Sequence, residues 1–492
     1  MQQSKLAAAT PPLKTTEHRW TSAMMAITLI AGVSIIGCRV GPRYRPPTAA
    51  LQPFHNAPLL APNIPAPPLE TWWTGFNDEG MDRIIQRALS ENLDLRGAVA
   101  RVDQARAVAR QAGSAEYPSV DLQETTTAIY QSPESELGRA PSHLPGYHRG
   151  QVYNNLGAFA SWEIDVFGSV RRGVEAANAE AEAAQASETG IRISVVAEAA
   201  DAYLTVRALQ MRLANAKEQV STDERLLELV QQRRDAGVAS ERELAQAQAL
   251  VSQAQATIQP LNIQLEAQLN RLDVLMGSQP GTYAADLSAP RELPIAPGLP
   301  GHLTPAELLR RRPDMIAAER RVAVTNARIG QAIAEYYPHI SLSAVLGSET
   351  PVPSHLFQSD GFQPASVLGL RWRLFDFGRV AGEVKQAQGA NAEALAAYRK
   401  TALTASEDVE NSIYALAETQ TREAFVRKEI EALQRTRDRS QEAYVAGVLN
   451  LTDVLEADRE LLVAKDDLQI TRLNAVLATV GTYRAIGGGW TP

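Results

Sequence analysis

One cysteine in 492 residues excludes an internal disulfide and any cysteine-built metal cluster. The seven histidines show no His-Glu-x-x-His and no paired metal spacing. No glycine-rich phosphate loop is present; Gly487 to Gly489 end a helix and lead into Trp490. With no nucleophile–base motif either, a hydrolase is remote and no enzyme activity or cofactor is expected. Positive charge is in deficit, 48 Lys plus Arg against 56 Asp plus Glu, so no basic patch suits nucleic acid. Beyond residue 37 no apolar run approaches 18 residues. No transmembrane helix follows that point, and a membrane could be spanned only by a closed barrel. Proline is missing from two long stretches, 169–235 and 379–446.

What is present begins with the surroundings of Cys38. Lys5, Lys14 and Arg19 precede an apolar run over 23–36, and Gly37 comes just before the cysteine. That order is the positive, apolar and small-residue pattern of a secretory signal, and the run is too short for a comfortable span of about 20 residues. Residues 1–37 are read as a signal peptide whose loss leaves net charge −10, since three cations and one anion go with it. "IIGC" resembles the lipobox of bacterial lipoproteins. In that family the cysteine becomes the N-terminus and carries diacylglycerol and a further acyl chain, enough for stable anchoring. A plain secretory signal with a cysteine nearby is the alternative. Arg39 follows where an inner-membrane retention signal has Asp, so the resemblance points to the outer membrane. Residues 38–70 are rich in proline and read as an extended tether.

The strongest signal is an internal duplication. "RVDQARAVARQAGSAEYPSVDL" from Arg101 matches "RVAVTNARIGQAIAEYYPHISL" from Arg321, 220 residues later. "SWEIDVFGSV" from Ser161 matches "RWRLFDFGRV" from Arg371, and "DAGV" matches "VAGV", both at an offset of 210. The two copies occupy 81–277 and 305–487, with a Pro/Gly-rich linker over 278–304. Each reads helix, strand, strand, long helix, tip, helix. Pro118 and Pro338 end the leading helix and start the first strand, because proline lacks the helical donor and extends its predecessor.

The strands alternate. Leu156, Ala158, Ala160, Trp162, Ile164 and Val166 are apolar, with Gly157, Phe159, Ser161, Glu163 and Asp165 between them. In the second copy Leu368, Leu370, Trp372 and Leu374 alternate with Gly369, Arg371 and Arg373. A half-buried soluble sheet and a lipid-facing wall with a polar lumen both fit that pattern; the lipid anchor favours the wall. Trp162 and Trp372 then fall where an interfacial girdle is expected. Phe167-Gly168 and Phe377-Gly378 mark the strand exits. The proline-free stretches predict helices of some 67 residues, roughly 100 Å at about 1.5 Å per residue, so they must form a tube or coiled coil. A heptad stripe follows each tip: Leu244, Ala247, Val251, Ala254, Ile258, Leu261, Leu265, and again Val454, Ala457, Leu461, Ala464, Leu468. Pro260 predicts a kink in the first. Four strands cannot close a barrel; two chains give eight strands and three give twelve with room inside. Three is preferred and two stays open.

With these features the chain resembles the TolC-like outer-membrane factors of tripartite efflux pumps, in the lipoprotein branch that works with resistance-nodulation-division (RND) transporters. That branch carries Val-Gly-Pro-Asp-Tyr after the lipidated cysteine; here Val40, Gly41, Pro42, Arg43 and Tyr44 stand, with Arg for Asp. The resemblance covers essentially all of 38–490. It implies an α+β membrane protein, a homotrimer with a twelve-stranded transmembrane β-barrel continuous with a periplasmic α-helical barrel. It implies an outer-membrane location in a Gram-negative bacterium, and a periplasmic adaptor and an inner-membrane RND transporter as partners. No cofactor is implied beyond the acyl groups on Cys38. The function implied is a passive export duct for small toxic compounds.

The resemblance also places a periplasmic gate at Tyr444, Asp453 and Glu456. Asp453 and Glu456 lie three apart, so one helix face presents both, and rings of carboxylates attract cations. A solvated acidic helix face is the plainer alternative. Leu449 stands where some relatives have a gate-bonding Arg, which puts a salt-bridged lock in doubt and points to an apolar constriction. Gly237, Val238, Gly447 and Val448 form the hairpin tips, implied as adaptor-docking points; tight turning alone also accounts for the glycines. Two other functions stay open: a protein-secretion duct of the same fold, and a lipid-tethered periplasmic coiled-coil scaffold.

Overall fold

The structure, a computed structural model, describes residues 39–48, 52–59, 66–139, 145, 147–300 and 304–491. The signal peptide and Cys38 lie outside them. The duplication is visible in element lengths. Helices α1 (Glu79–Glu91) and α2 (Leu93–Ser114) lead to β1 (Ser119–Tyr130) and β2 (Gly150–Ile164). Then come the long helix α3 (Ser169–Asp235) and α4 (Glu241–Leu275). The second copy gives α5 (Pro305–Arg311), α6 (Pro313–Ala334), β3 (His339–Thr350), β4 (Ala365–Arg371), α7 (Arg379–Val445) and α8 (Leu451–Ala485). Helices α2 and α6 both have 22 residues, β1 and β3 both 12, α3 and α7 both 67, α4 and α8 both 35. The leading helices α1 and α5 differ, 13 residues against seven, and so do β2 and β4, 15 against seven. The alternation read across Trp372 and Leu374 therefore runs past the strand: β4 stops at Arg371. Residues 372–374 have no β3 partner, because β3 begins at His339, which pairs with Arg371, and Pro338 precedes it.

The chain forms two compact units, each drawing on both copies. One comprises Ala115–Arg172 and Gly330–Val380 with the segment ending at Gly41. It holds an antiparallel sheet in the order β1-β2-β3-β4. Register gathers the alternating residues on one face. Val120 pairs with Ala160 and Leu122 with Ala158. Ala158, Trp162 and Ile164 pair with Leu346, Leu342 and Ile340. Ile340 and Leu342 pair with Leu370 and Leu368. The opposite face carries Asp121, Gln123, Ser161, Glu163, His339, Ser341 and Arg371. From Ala158 to Ile164 the apolar band is about 20 Å tall at about 3.3 Å per residue. It gives way to Glu124, Thr126 and Asn154, joined through the Thr126 hydroxyl, which donates to Glu124 at 3.0 Å and to Asn154 at 2.9 Å.

The other unit comprises Pro42–Ser114, Gly173–Ile329 and Ala381–Pro492. Its main core gathers Trp72, Met81, Ile85, Val196, Tyr203, Leu204, Leu272, Ile413, Val480 and Tyr483. Trp72 stacks on Tyr483 at 5.2 Å. Each large side chain fully buried there contributes about 1.5–3 kcal/mol. Alanine fills the closest approaches, including Ala88, Ala199, Ala200 and Ala405, all at 0 % exposure, which lets helix backbones pack tightly. On the stripe after the first tip, Leu244, Ala247, Val251, Ala254 and Leu261 are buried. Pro260 lies inside one unbroken helix, α4. Among the described residues no helix is long and apolar enough to cross a membrane.

Candidate functional site: hairpin tips and the strand-to-helix junctions

The two tips share one backbone device. Gly237 and Gly447 have φ +77° and +78°, the left-handed region that glycine favours. Val238 N–H donates to Arg233 O at 2.8 Å, and Val448 N–H to Ala443 O at 2.9 Å. These bonds satisfy carbonyls that a helix end leaves free. Val238 and Val448 are exposed, 66 % and 77 %. The next helix starts with a capping box in both copies. Ser240 N–H donates to Glu243 Oε2 at 2.6 Å, and Asn450 N–H to Asp453 Oδ2 at 3.1 Å. Asp453 and Glu456 are both exposed on α8. Asp453 thus has a capping role within the protomer.

Side chains then break the equivalence. Tyr444 is buried against Leu226, Val230, Leu244, Ala247, Leu451 and Val454. Arg233, from the first tip, lies 4.6 Å from the centre of the Tyr444 ring. It donates to Tyr444 O at 3.2 Å and Val445 O at 3.3 Å, placing a cation at the C-terminus of α7 where the helix dipole favours it. The Tyr444 hydroxyl is buried without a hydrogen-bond partner among the described residues. Burial raises its pKa. Leu449 is exposed, at 38 %, and does not pack into this cluster.

Just beyond the tip is a buried carboxylate pair that the sequence reading did not single out. Asp223 on α3 and Asp458 on α8 are 1 % and 4 % exposed. The Gln219 amide donates to both, at 2.8 Å to Asp223 Oδ1. Arg437 of α7 lies 3.4 Å from Asp458. Burial first, then the Asp458 charge, pushes Asp223 up to about 7; Gln219 and Arg437 oppose the shift. The folded chain therefore holds a proton that an unfolded aspartate releases near pH 4. Stability from this pair is greatest at low pH and is lost as pH rises from about 4 to about 7. Thermal unfolding should occur at a higher temperature at about pH 5 than at about pH 8. Asp223→Asn should raise the melting temperature at about pH 8 and flatten that dependence. An unchanged slope in the variant would exclude this pair as its source.

The β2-to-α3 junction of the sheet unit holds Val40 and Gly41 of the N-terminal signature. Val40 N–H donates to Phe167 O at 3.2 Å. The buried Arg172 guanidinium donates to Val40 O at 3.1 Å and Gly41 O at 3.2 Å. Gly41 has φ +91°, and a Cβ there would stand 2.4 Å from the Gly330 Cα, so no side chain fits. Each matched tryptophan ties a strand end to the Tyr-Pro start: Trp162 Nε1 donates to Glu116 O and Trp372 Nε1 to Tyr336 O, both at 3.0 Å. Phe167 stacks on Tyr337 at 4.7 Å. In the helical unit, the Tyr44 hydroxyl donates to Glu319 Oε1 at 3.0 Å. Among the described residues no group of His, Cys, Asp and Glu could hold a metal ion.

Comparison with known proteins matches this arrangement. The family model described as outer membrane efflux protein matches residues 84–278 and 304–488. The pyoverdine export outer membrane protein OpmQ of Pseudomonas aeruginosa is 31 % identical over 432 residues, 88 % of this chain and 90 % of OpmQ. The toluene efflux pump outer membrane protein TtgF of Pseudomonas putida is 29 % identical over 479 residues, covering 94 % and 96 %. The structure of the outer-membrane channel OprN superposes with a TM-score of 0.85 at 30 % identity, covering 92 % of this chain and all of that one.

Proposed function

Because this chain belongs to the outer membrane efflux protein family and is an outer-membrane channel component of an efflux system, we propose the assembly, anchor and gate through which it acts. The observation that carries the reading is the four-stranded sheet with one continuous apolar face and two unpaired edges. Lipid offers no partner to a strand edge, so the sheet must close with copies of itself. Three copies give twelve strands and leave a lumen. The periplasmic adaptor docks at Gly237, Val238, Gly447 and Val448, and the RND transporter supplies the energy. The duct itself catalyses nothing. Two relatives are named for pyoverdine and for toluene, chemically unlike cargoes. A passive duct that accepts small molecules delivered by its pump accommodates both. A secreted protein or a scaffold role draws no comparable support.

The anchor is diacylglycerol and an acyl chain on Cys38. Its support is the bonding of Val40 to the exit of β2, one residue after Arg39, which keeps the lipid beside the sheet. The gate is Tyr444, Leu449, Asp453 and Glu456. Purified protein in a planar bilayer should give steady, water-filled conductance without any energy source. Labelled fatty acid should enter the wild type and not Cys38→Ala. Absence of conductance from a correctly assembled trimer would sink the duct; label elsewhere than Cys38 would sink the anchor.

A further inference from the structure

The unmatched strand pair shows how one copy meets the next. Inside the chain, β1 pairs with β2 from Ser119↔Ser161, and β3 with β4 from His339↔Arg371. These are the same pairing, displaced by the two repeat offsets. The junction of β2 with β3 runs from Asn154↔Thr350 to Ile164↔Ile340, and its equivalent would join β4 to a β1. No β1 of the same chain is free for it, because the chain's own β1 lies at the far edge of the sheet.

Residues Trp162 to Ile164 pair only with β3. Their equivalents, Trp372 to Leu374, are the residues that fall outside β4. The aromatic pair behaves alike. Phe167 stacks on Tyr337 across β2 and β3. Its counterpart Phe377 is fully exposed, and Tyr117, the counterpart of Tyr337, is 70 % exposed.

We propose that β4 of one protomer extends through Leu374 and pairs with β1 of a second copy in the register Leu374↔Val120, Arg373↔Asp121, Trp372↔Leu122 and Arg371↔Gln123, with Phe377 stacked on Tyr117. This rests on the trimeric reading above and adds the register and the side chains that set it. Moving each β2 number up by 210 and each β3 number down by 220 yields the pairs. They satisfy a test not used to build them. Arg373 falls opposite Asp121, with Arg371 diagonal to it, so opposite charges meet on the polar face where directly opposed pairs interact. A slip of one residue sends Arg373 to the wrong face of β1. Within one protomer Arg373 bonds Glu335 at 3.1 Å; Asp121 of the second copy joins that pair.

The experiment places cysteines at Asp121 and Arg373 together in the full chain and treats the assembled protein with a short bis-maleimide. A covalent three-chain species should form, with neither single variant giving it. Gln123→Cys with Arg373→Cys, two residues out of register, should link at least tenfold less. Arg373→Glu should lower the temperature at which trimers dissociate in detergent, and Arg373→Glu with Asp121→Arg should restore it. Trimers that link better through Gln123, or that charge reversal does not rescue, overturn the register while leaving the trimer standing. A protein that purifies only as monomers overturns both.

Discussion

Leu368→Arg should destabilise the inserted protein by about 2–4 kcal/mol, as expected for a cation facing lipid near the bilayer midplane. Leu370→Arg lies two residues closer to Trp372 and should cost less, because the penalty falls toward the interface. Ser161→Arg, on the polar face, should be tolerated. The argument rests on register. Leu368 pairs with Leu342, which pairs with Trp162, so three strands present apolar side chains side by side. Leu368 and Leu370 are 70 % and 68 % exposed, with no protein to cover them within the protomer. Reversible unfolding in detergent or vesicles measures all three variants. Equal tolerance at Leu368 and Ser161 would mean that the apolar face does not meet lipid.

Tyr444→Ala should cost the hairpin about 3–5 kcal/mol, the range for removing a large aromatic from a packed site. Its ring fills the cluster between the two tips and receives the Arg233 cation. Tyr444→Phe should leave protomer stability unchanged or slightly higher, because the buried hydroxyl finds no partner among the described residues. If the hydroxyl instead holds a neighbouring protomer, Tyr444→Phe should raise single-channel conductance without lowering stability. Packing and locking are thereby separated by one atom. Asp453→Asn with Glu456→Gln should lower cation selectivity, most at low salt, where the Debye length is longest. Because Asp453 also caps α8, the amide is the substitution that keeps a side-chain acceptor for Asn450. Unchanged selectivity at low salt would leave those carboxylates as a solvated helix face.

Much of this was legible in the sequence because repetition and periodicity are local. Tyr-Pro at two positions fixes where strands start, and a proline-free 67-residue stretch fixes a helix. The apolar stripe of Leu244, Ala247, Val251 and Ala254 reads directly as a buried seam. The length of β4 was not legible, because strand extent depends on a partner and Arg371, Trp372 and Arg373 alternate as well as any paired residues. Nor was the Asp223–Asp458 pair, whose members come from different copies and meet only once α3 packs on α8. A signal for it did exist. At an offset of 210 Asp223 corresponds to Leu433 and Asp458 to Gln248, so both acids stand where the copies disagree. Arg233, which corresponds to Ala443, breaks the repeat in the same way. Tertiary work was concentrated at departures from the duplication.

The clamp on Gly41 bears on the order in which the chain becomes itself. Residues 40 and 41 leave the ribosome before their partners, Phe167, Arg172 and Gly330, the last of them in the second copy. The ends of so long a loop close late, after the nearer contacts have formed. The Val40-Gly41 signature is therefore made before its partners and is among the last segments to be seated. Its docking records that the β2-to-α3 junction and helix α6 have already been built.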